Sequence, residues 1–327
     1  MTLLARLKTS TAGIARALAG PTLGLGLALA LASSPVTASA QTAAAPALVP
    51  AVVPAVRPAT GAGPALWVIR DADSTLYLFG TVHVLRPDTG WGTAKVDAAF
   101  DAASDIWFEI SNPDDQAAIM PLIQQYGLSP ATPLSSLLTP AEIAELDAAA
   151  RTMGATAAQM DPLRPWFAGL TLSMAPLVKA GYDPASGVEL TLTARAKAAG
   201  KPIHGFETID SQVRVLAGLP QDVQLEFLRS TLKDFEEATV MLDEMVAAWA
   251  QGDVASLERV AITDMKVEAP EVYDALLVRR NADFANQIQT LLAGSGTAFI
   301  AVGAAHLIGE DSVQSMLEQR GIAVVRE

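Results

Sequence analysis

The 327-residue chain has no cysteine. Disulfides, thiolate metal ligands and a cysteine nucleophile are therefore excluded. The compartment is left open, because exported proteins can do without disulfides. Histidine is almost as scarce, with three in the whole chain. Basic residues are in deficit, 22 Lys and Arg against 35 Asp and Glu, for a formal charge of -13. Binding a phosphate backbone needs clustered Lys and Arg, so no nucleic-acid partner is expected. An acidic surface suits cationic substrates or simply serves solubility. Long apolar runs are also missing after residue 40, none approaching the ~20 residues that a membrane helix needs.

What is present at the start has a distinct layout. Residues 1–20 carry Arg6, Lys8 and Arg16 and no acid, LGLGLALALA at 23–32 is a short apolar block, and Ala38-Ser39-Ala40 is a small-x-small site. These are the parts of a cleaved secretory signal. The expectation is a mature chain from Gln41, exported to the periplasm or the exterior. Residues 41–65 are rich in Ala, Pro and Val and almost free of charge, and read as an extended linker. Residues 66–327 read as a single domain.

Within that domain, LWVIRDADSTLYLFGTVH gives two strands, 66–70 and 75–82, around a turn at Asp71–Ser74. A helix follows over about 92–103, then a short strand, SDIWFEIS, at 104–111. From about 113 to 200 the pattern is mostly helical, with one helix starting at Pro140, interruptions at Pro165 and Pro176, and a helix over 187–200 closed by glycine. KPIHGFE at 201–207 reads as a strand. Leu228, Phe235, Leu242 and Trp249 fall seven apart, with Leu232 and Val246 between them, and predict one long amphipathic helix over 220–250. Helices at 253–262 and 270–292, a strand at 297–306, a helix at 310–320 and a last strand, IAVVR, complete the chain. The fold expected is α/β (α+β): a mixed central sheet formed by the N- and C-terminal parts, with a large helical insertion over about 113–200 and 211–292.

Two of the three histidines arrive alike. LYLFGTVHVL at 76–85 and FIAVGAAHLI at 299–308 each place Gly-x-x-His at the end of a hydrophobic run. In sheets with a parallel portion, active sites gather beyond the carboxyl ends of the strands. If the two ends of the chain are neighbours in the sheet, His83 and His306 converge. Two imidazoles and a carboxylate suit a divalent ion such as Zn, Mn, Fe or Co. Glu109 is the first carboxylate candidate, because an ionised acid inside the apolar strand WFEI is costly unless paired or bound to a cation. Glu207, at the end of GFE, is the second. Glu189 is either an outward helix acid or a site residue. Asp71 and Asp73 read as turn acids, and His204, two positions after Pro202, reads as structural. Arg280-Asn281, midway along a helix, is either a solvated face or a pair reaching the acidic cleft, where Arg280 would hold a substrate carboxylate or stabilise an oxyanion.

These pieces run in an order that resembles the TraB/GumN family, relatives of the TIKI metalloproteases within the wider erythromycin-esterase/ChaN-like group. The resemblance rests on LWVIRDADSTLYLFGTVHVL with Trp91-Gly92, WFEI at 107–110, GVELTLTARAKAAGKPIHGFETIDSQ at 187–212, WAQGD at 249–253, Arg280-Asn281 and AVGAAHLIGED at 301–311. It spans about 66–327. It implies an exported or surface α/β protein whose two Gly-x-x-His motifs and acids form a metal site, with Mn- or Co-dependent peptide-bond hydrolysis in the TIKI-like members. Carried over by position, His83 and His306 match the motif histidines, Glu109 the acid of the aromatic strand, Glu207 the Glu-Thr acid, and Arg280 and Asn281 the Arg-Asn pair. Two positions depart from the pattern: Glu189 stands where Asp is frequent, and Ser312 where Gly is frequent.

The expected chemistry is metal-dependent hydrolysis of a peptide or protein substrate. His83, His306 and Glu109 would hold a divalent ion (Mn, Co or Zn), Glu109 or Glu207 would act as base, Arg280 would act in catalysis, and Arg280 and Asn281 would bind substrate. Two alternatives stand beside it. One is a metal-free hydrolase in which His83 and Glu109 activate water. The other is a non-catalytic peptide-binding protein.

Overall fold

The computed structural model describes residues 56–113 and 115–327. The expected signal segment, and the expected linker as far as residue 55, lie outside the described residues. Residues 56–65 run against the body: Arg57 accepts from the N–H groups of Trp91 and Gly92 at 3.0 and 2.9 Å, and Ala59 donates to Gly92 at 2.9 Å.

Strands β1 (Leu66–Arg70) and β2 (Ser74–Thr81) form an antiparallel hairpin. Its turn is set by Asp71, whose Oδ1 accepts from the N–H groups of Asp73 and Ser74 at 3.2 and 2.8 Å. This is the local bonding that makes Asp a turn former. Helix α1 (Ala94–Ala102), capped by Thr93, leads to β3 (Asp105–Ile110). The helical insertion then begins with α2 (Gln116–Leu122), α3 (Pro140–Arg151), α4 (Ala157–Met160), α5 (Pro165–Lys179) and α6 (Val188–Ala198). Strand β4 (Ile203–Glu207) follows, then α7 (Ile209–Ala217), α8 (Gln221–Lys233), α9 (Ala238–Ala250), α10 (Val254–Glu258), α11 (Asp264–Glu268), α12 (Pro270–Tyr273) and α13 (Arg279–Leu292). The chain closes with β5 (Gly296–Gly303), α14 (Val313–Glu318) and β6 (Val324–Arg326).

The six strands form one mixed sheet in the order β4-β3-β5-β2-β1-β6. β4, β3, β5 and β2 run parallel, while at one edge β1 pairs antiparallel with β2 and β6 pairs antiparallel with β1. The α/β class is thus the one expected, and the first and last parts of the chain are neighbours: β2 pairs with β5 in a register that sets Gly80 opposite Val302 and Thr81 opposite Gly303. Side chains alternate between two cores. Phe79, Phe299 and Ala301 face the helical insertion with Phe100, Trp166 and Leu192. Leu78, Ile300 and Val302 face α13 and α14 through Phe284, Ile288, Val313 and Leu317.

Several expected elements differ. The helix expected over 253–262 is α10, a wide turn at Arg259–Thr263 and α11, and the strand expected over 297–306 ends at Gly303. The helix expected over 220–250 is two helices, α8 and α9, separated at 234–237. Its seven-residue stripe serves two cores: Leu228 and Leu232 pack with Leu146 and Leu172, while Leu242, Val246 and Trp249 belong to the core beneath the sheet. Pro165 does not interrupt a helix but starts α5 at its first position, where the missing N–H has no helical partner to lose. Pro176 lies inside that helix, which ends at Lys179. The helix expected over 270–292 contains a wide π-type turn at Asp274–Val278, a feature with consequences for the site.

Candidate functional site

Each of the four parallel strands delivers one chemically active side chain at its carboxyl end. Glu109 and Glu207 close β3 and β4, His83 follows β2, and His306 follows β5 on a single 3-10 turn, Ala304–Leu307. Gly80 permits the crossing of the two histidine loops, because a Cβ there would meet the Ala304 backbone at 3.0 Å.

The two acids share one cation. Arg280 donates from Nε to Glu207 Oε1 at 2.8 Å, and from Nη2 to Glu109 Oε2 at 2.6 Å and Glu207 Oε2 at 2.7 Å. Its Nη1 donates at 3.1 Å to the Leu276 carbonyl in the wide turn of its own helix. Wide turns of this kind recur at functional sites. Gln212 Nε2 links the same two carboxylates, at 2.9 Å from Glu109 and 3.0 Å from Glu207. Glu109 Oε1 accepts in addition from the Gly303 N–H at 2.7 Å. Burial opposes the charge on Arg280, but the two carboxylates more than offset it and hold its pKa above the ordinary arginine value.

The histidines have separate surroundings. His306 is fully buried, with Nδ1 2.5 Å from Asn281 Oδ1 and its ring against Phe284 at a centroid distance of 5.1 Å. Its Nε2 lies 3.5 Å from Glu109 Oε1. Burial and the positive charge of Arg280 hold its pKa well below the ordinary histidine value, and His83 adds to the depression. His83 instead sits beside Glu189, with Nδ1 2.7 Å from Oε1, a distance suited to an ion pair but out of line for a hydrogen bond. The same Glu189 oxygen accepts a hydrogen bond from the Thr81 hydroxyl. Burial pushes the His83 pKa down, but Glu189 more than offsets it, and the net direction is upward.

Glu189 is thus placed inside, in the first turn of α6. That turn is pressed onto the His83 loop: the Val188 N–H donates to the Val82 carbonyl at 3.0 Å, and a Cβ at Gly187 would stand 2.3 Å from the His83 carbonyl oxygen. Asn281 is 1% exposed, and its amide faces His306 and the Asp311 carbonyl. His204 lies apart, stacked on Trp107 at 4.6 Å and 3.0 Å from Asp105. Sequence reasoning gave Gln212 no role; the available signal was a glutamine one turn into the helix that begins just after Glu207.

None of the His83, Glu109, Glu189, Glu207, Arg280 and His306 side chains is more than 10% exposed. An open depression of about 360 Å³, lined by Ser211, Arg214, Arg279 and Asp283, meets the centre at its Glu207–Arg280 side. The resemblance implies a metal here, and the donor chemistry suits one. His83 Nε2, His306 Nε2 and Glu189 Oε2 are buried polar atoms without hydrogen-bond partners, a condition costly enough to call for a bonded partner. Among the described residues no three His, Cys, Asp or Glu side chains already converge as a cation cage.

These features define an α/β protein with a buried imidazole–carboxylate–guanidinium centre at the carboxyl ends of its parallel strands. The comparisons make the assignment narrower. The chain belongs to the TraB/PrgY/gumN family, whose model matches residues 65–326. It is similar to an uncharacterized protein of Treponema pallidum (strain Nichols), 22% identical over 270 residues covering 78% of this chain and 80% of that one. It is also similar to the uncharacterized protein YbaP of Escherichia coli (strain K12), 23% identical over 256 residues covering 78% of this chain and 92% of that one. YbaP of Shigella flexneri matches over the same length at 23% identity. No solved structure gives a significant match.

Proposed function

We propose that this chain is an exported, metal-dependent hydrolase acting on peptide bonds, with His83, His306 and Glu109 as the residues that would hold a divalent ion. One observation carries the reading. His306 Nε2 stands 3.5 Å from Glu109 Oε1, and Nε2 has no hydrogen-bond partner. Two lone pairs that face each other repel unless a proton or a cation lies between them. Burial and Arg280 disfavour a second proton on the His306 ring, and a cation between the two atoms would relieve the repulsion.

A divalent ion there would supply Lewis acidity, polarising a carbonyl and acidifying water. The remaining roles belong to the chain. Glu207, which borders the depression, would take a proton from water at the substrate side. Arg280 and Gln212 fix Glu109 and Glu207 relative to each other. With its guanidinium bonded to both acids, Arg280 orients them and balances their charge. The N-terminal layout supports export, and the absence of a nucleic-acid partner rests on the acidic charge.

The test is elemental analysis of the purified protein, followed by chelation and assay on an unstructured peptide pool with and without Mn, Co or Zn. His83→Ala and His306→Ala are each expected to lose metal. Two variants that bind metal like the wild type would overturn the assignment. Turnover insensitive to chelator would instead favour the metal-free hydrolase in which His83 and Glu109 activate water, with Glu189 beside His83. Tight peptide binding without turnover, surviving both substitutions, would favour a binding protein.

A further inference from the structure

We infer that Asn281 and Glu189 are positioning residues that fix the two histidines in the same tautomer, so that both rings turn Nε2 into the centre. The inference rests on the proposed reading for what the Nε2 atoms do, but not for where the protons lie.

For His306 the assignment follows from bonding alone. The Asp311 backbone carbonyl can only accept, so the Asn281 group 2.7 Å from it is the amide Nδ2. The other end of the amide is then Oδ1, which also can only accept, and it faces His306 Nδ1 at 2.5 Å. The proton must therefore sit on Nδ1, leaving a lone pair on Nε2. A neutral imidazole in water prefers the opposite tautomer, with the proton on Nε2. Asn281 reverses that preference, and the backbone of Asp311 locks the amide that reverses it. Arg280 and Asn281 are consecutive, and the ~100° step between neighbouring helical positions sends one to the carboxylates and the other to the histidine. Phe284, three positions on along the same face, packs the ring.

For His83 the partner is a carboxylate. Glu189 Oε1 lies 2.7 Å from Nδ1 and accepts from the Thr81 hydroxyl, so this oxygen is anchored from the strand that precedes the histidine. A carboxylate this close favours a proton on Nδ1 by its charge, without an aligned hydrogen bond, and in the neutral ring that leaves the lone pair on Nε2. The two Gly-x-x-His motifs thus present the same atom through different chemistry, an amide on one side and an acid on the other. Nitrogen orientation by such partners is what gives a histidine its competence as a ligand or base.

Three histidines make the test direct. The protein is prepared with ¹⁵N-labelled histidine, and long-range ¹H–¹⁵N spectra are recorded with the three ring systems assigned from His83→Gln, His204→Gln and His306→Gln. Wild-type His306 is expected to show the Nδ1–H pattern. Asn281→Asp, whose carboxylate can still accept, should keep it, and Asn281→Leu should shift it toward Nε2–H. Glu189→Leu should do the same to His83 and leave His306 unchanged. An Nε2–H pattern for His306 in the wild-type protein would overturn the inference without need of any variant. So would an Asn281→Leu spectrum identical to wild type. In a parallel arm, Mn²⁺ titration should show 10–100-fold weaker binding for Asn281→Leu and near-native binding for Asn281→Asp. Correct tautomers without Mn²⁺, Co²⁺ or Zn²⁺ binding by the wild type would sink the proposed function and leave the positioning roles standing.

Discussion

Replacing Arg280 by Met strands two buried acids. Arg280 makes the 2.6 Å contact to Glu109 and the 2.7 and 2.8 Å contacts to Glu207, and all three side chains are at most 10% exposed. Removing one member of a buried ion pair costs about 3–5 kcal/mol, because the remaining charge keeps its desolvation penalty without its counter-charge. Two stranded carboxylates place Arg280→Met at the upper end, about 5 kcal/mol. At about 2 °C per kcal/mol for a body this size, the melting temperature should fall by roughly 10 °C. Urea unfolding at neutral pH, followed by the fluorescence of the five tryptophans, measures the loss. The diagnostic control is the triple variant Arg280→Met/Glu109→Gln/Glu207→Gln. Its amides are neutral and keep a similar shape, so it should recover most of the stability. A loss under ~1 kcal/mol in the single variant, on the same scale, or a triple variant no more stable than the single one, would refute the reasoning.

Other expectations follow from local geometry. Gly187→Ala puts a methyl 2.3 Å from the His83 carbonyl oxygen, so the first turn of α6 must back away; the overpacking should cost about 1–3 kcal/mol in urea unfolding and move the His83 ring signals. Asp311 has its pKa lowered by the Lys266 hydrogen bond, against burial and with help from Tyr273. A depressed carboxylate pKa contributes stability above the unfolded value and loses it as pH falls through the folded one. Asp311→Asn should therefore be less stable at pH 7, by under ~1 kcal/mol since both charges are partly solvated, and indistinguishable from wild type at low pH. A deficit that persists there would refute the ion-pair origin.

The strand ends were legible because they obey simple rules. Apolar runs with β character predicted β1 to β5, and a sheet formed by the N- and C-terminal parts was expected; β2 and β5 are neighbours in it. The break between α8 and α9 was not legible. No proline or glycine marks 234–237; the helix divides because its single stripe must reach two separate cores, which is a tertiary demand. Glu189 could not be placed either. Polar and apolar residues are mixed around α6, and its inward direction depends on a close contact between Gly187 and the His83 loop that no local pattern encodes. Gln212 was quoted in the motif but not given a role, since an amide that bridges two acids is visible only once β3 and β4 lie side by side.

The position of β5 has a consequence for the order of assembly. It lies between β2 and β3, yet it is made long after both, and the Glu109–Gly303 bond spans 194 positions. Synthesis proceeds from the N-terminus, so a growing chain has two unsatisfied strand borders with a gap between them until almost all of it has emerged. The keystone arrives last. A chain stalled before residue 296 would expose the inner borders that later hold the histidines and acids together, which makes incomplete chains of this protein candidates for edge-to-edge aggregation.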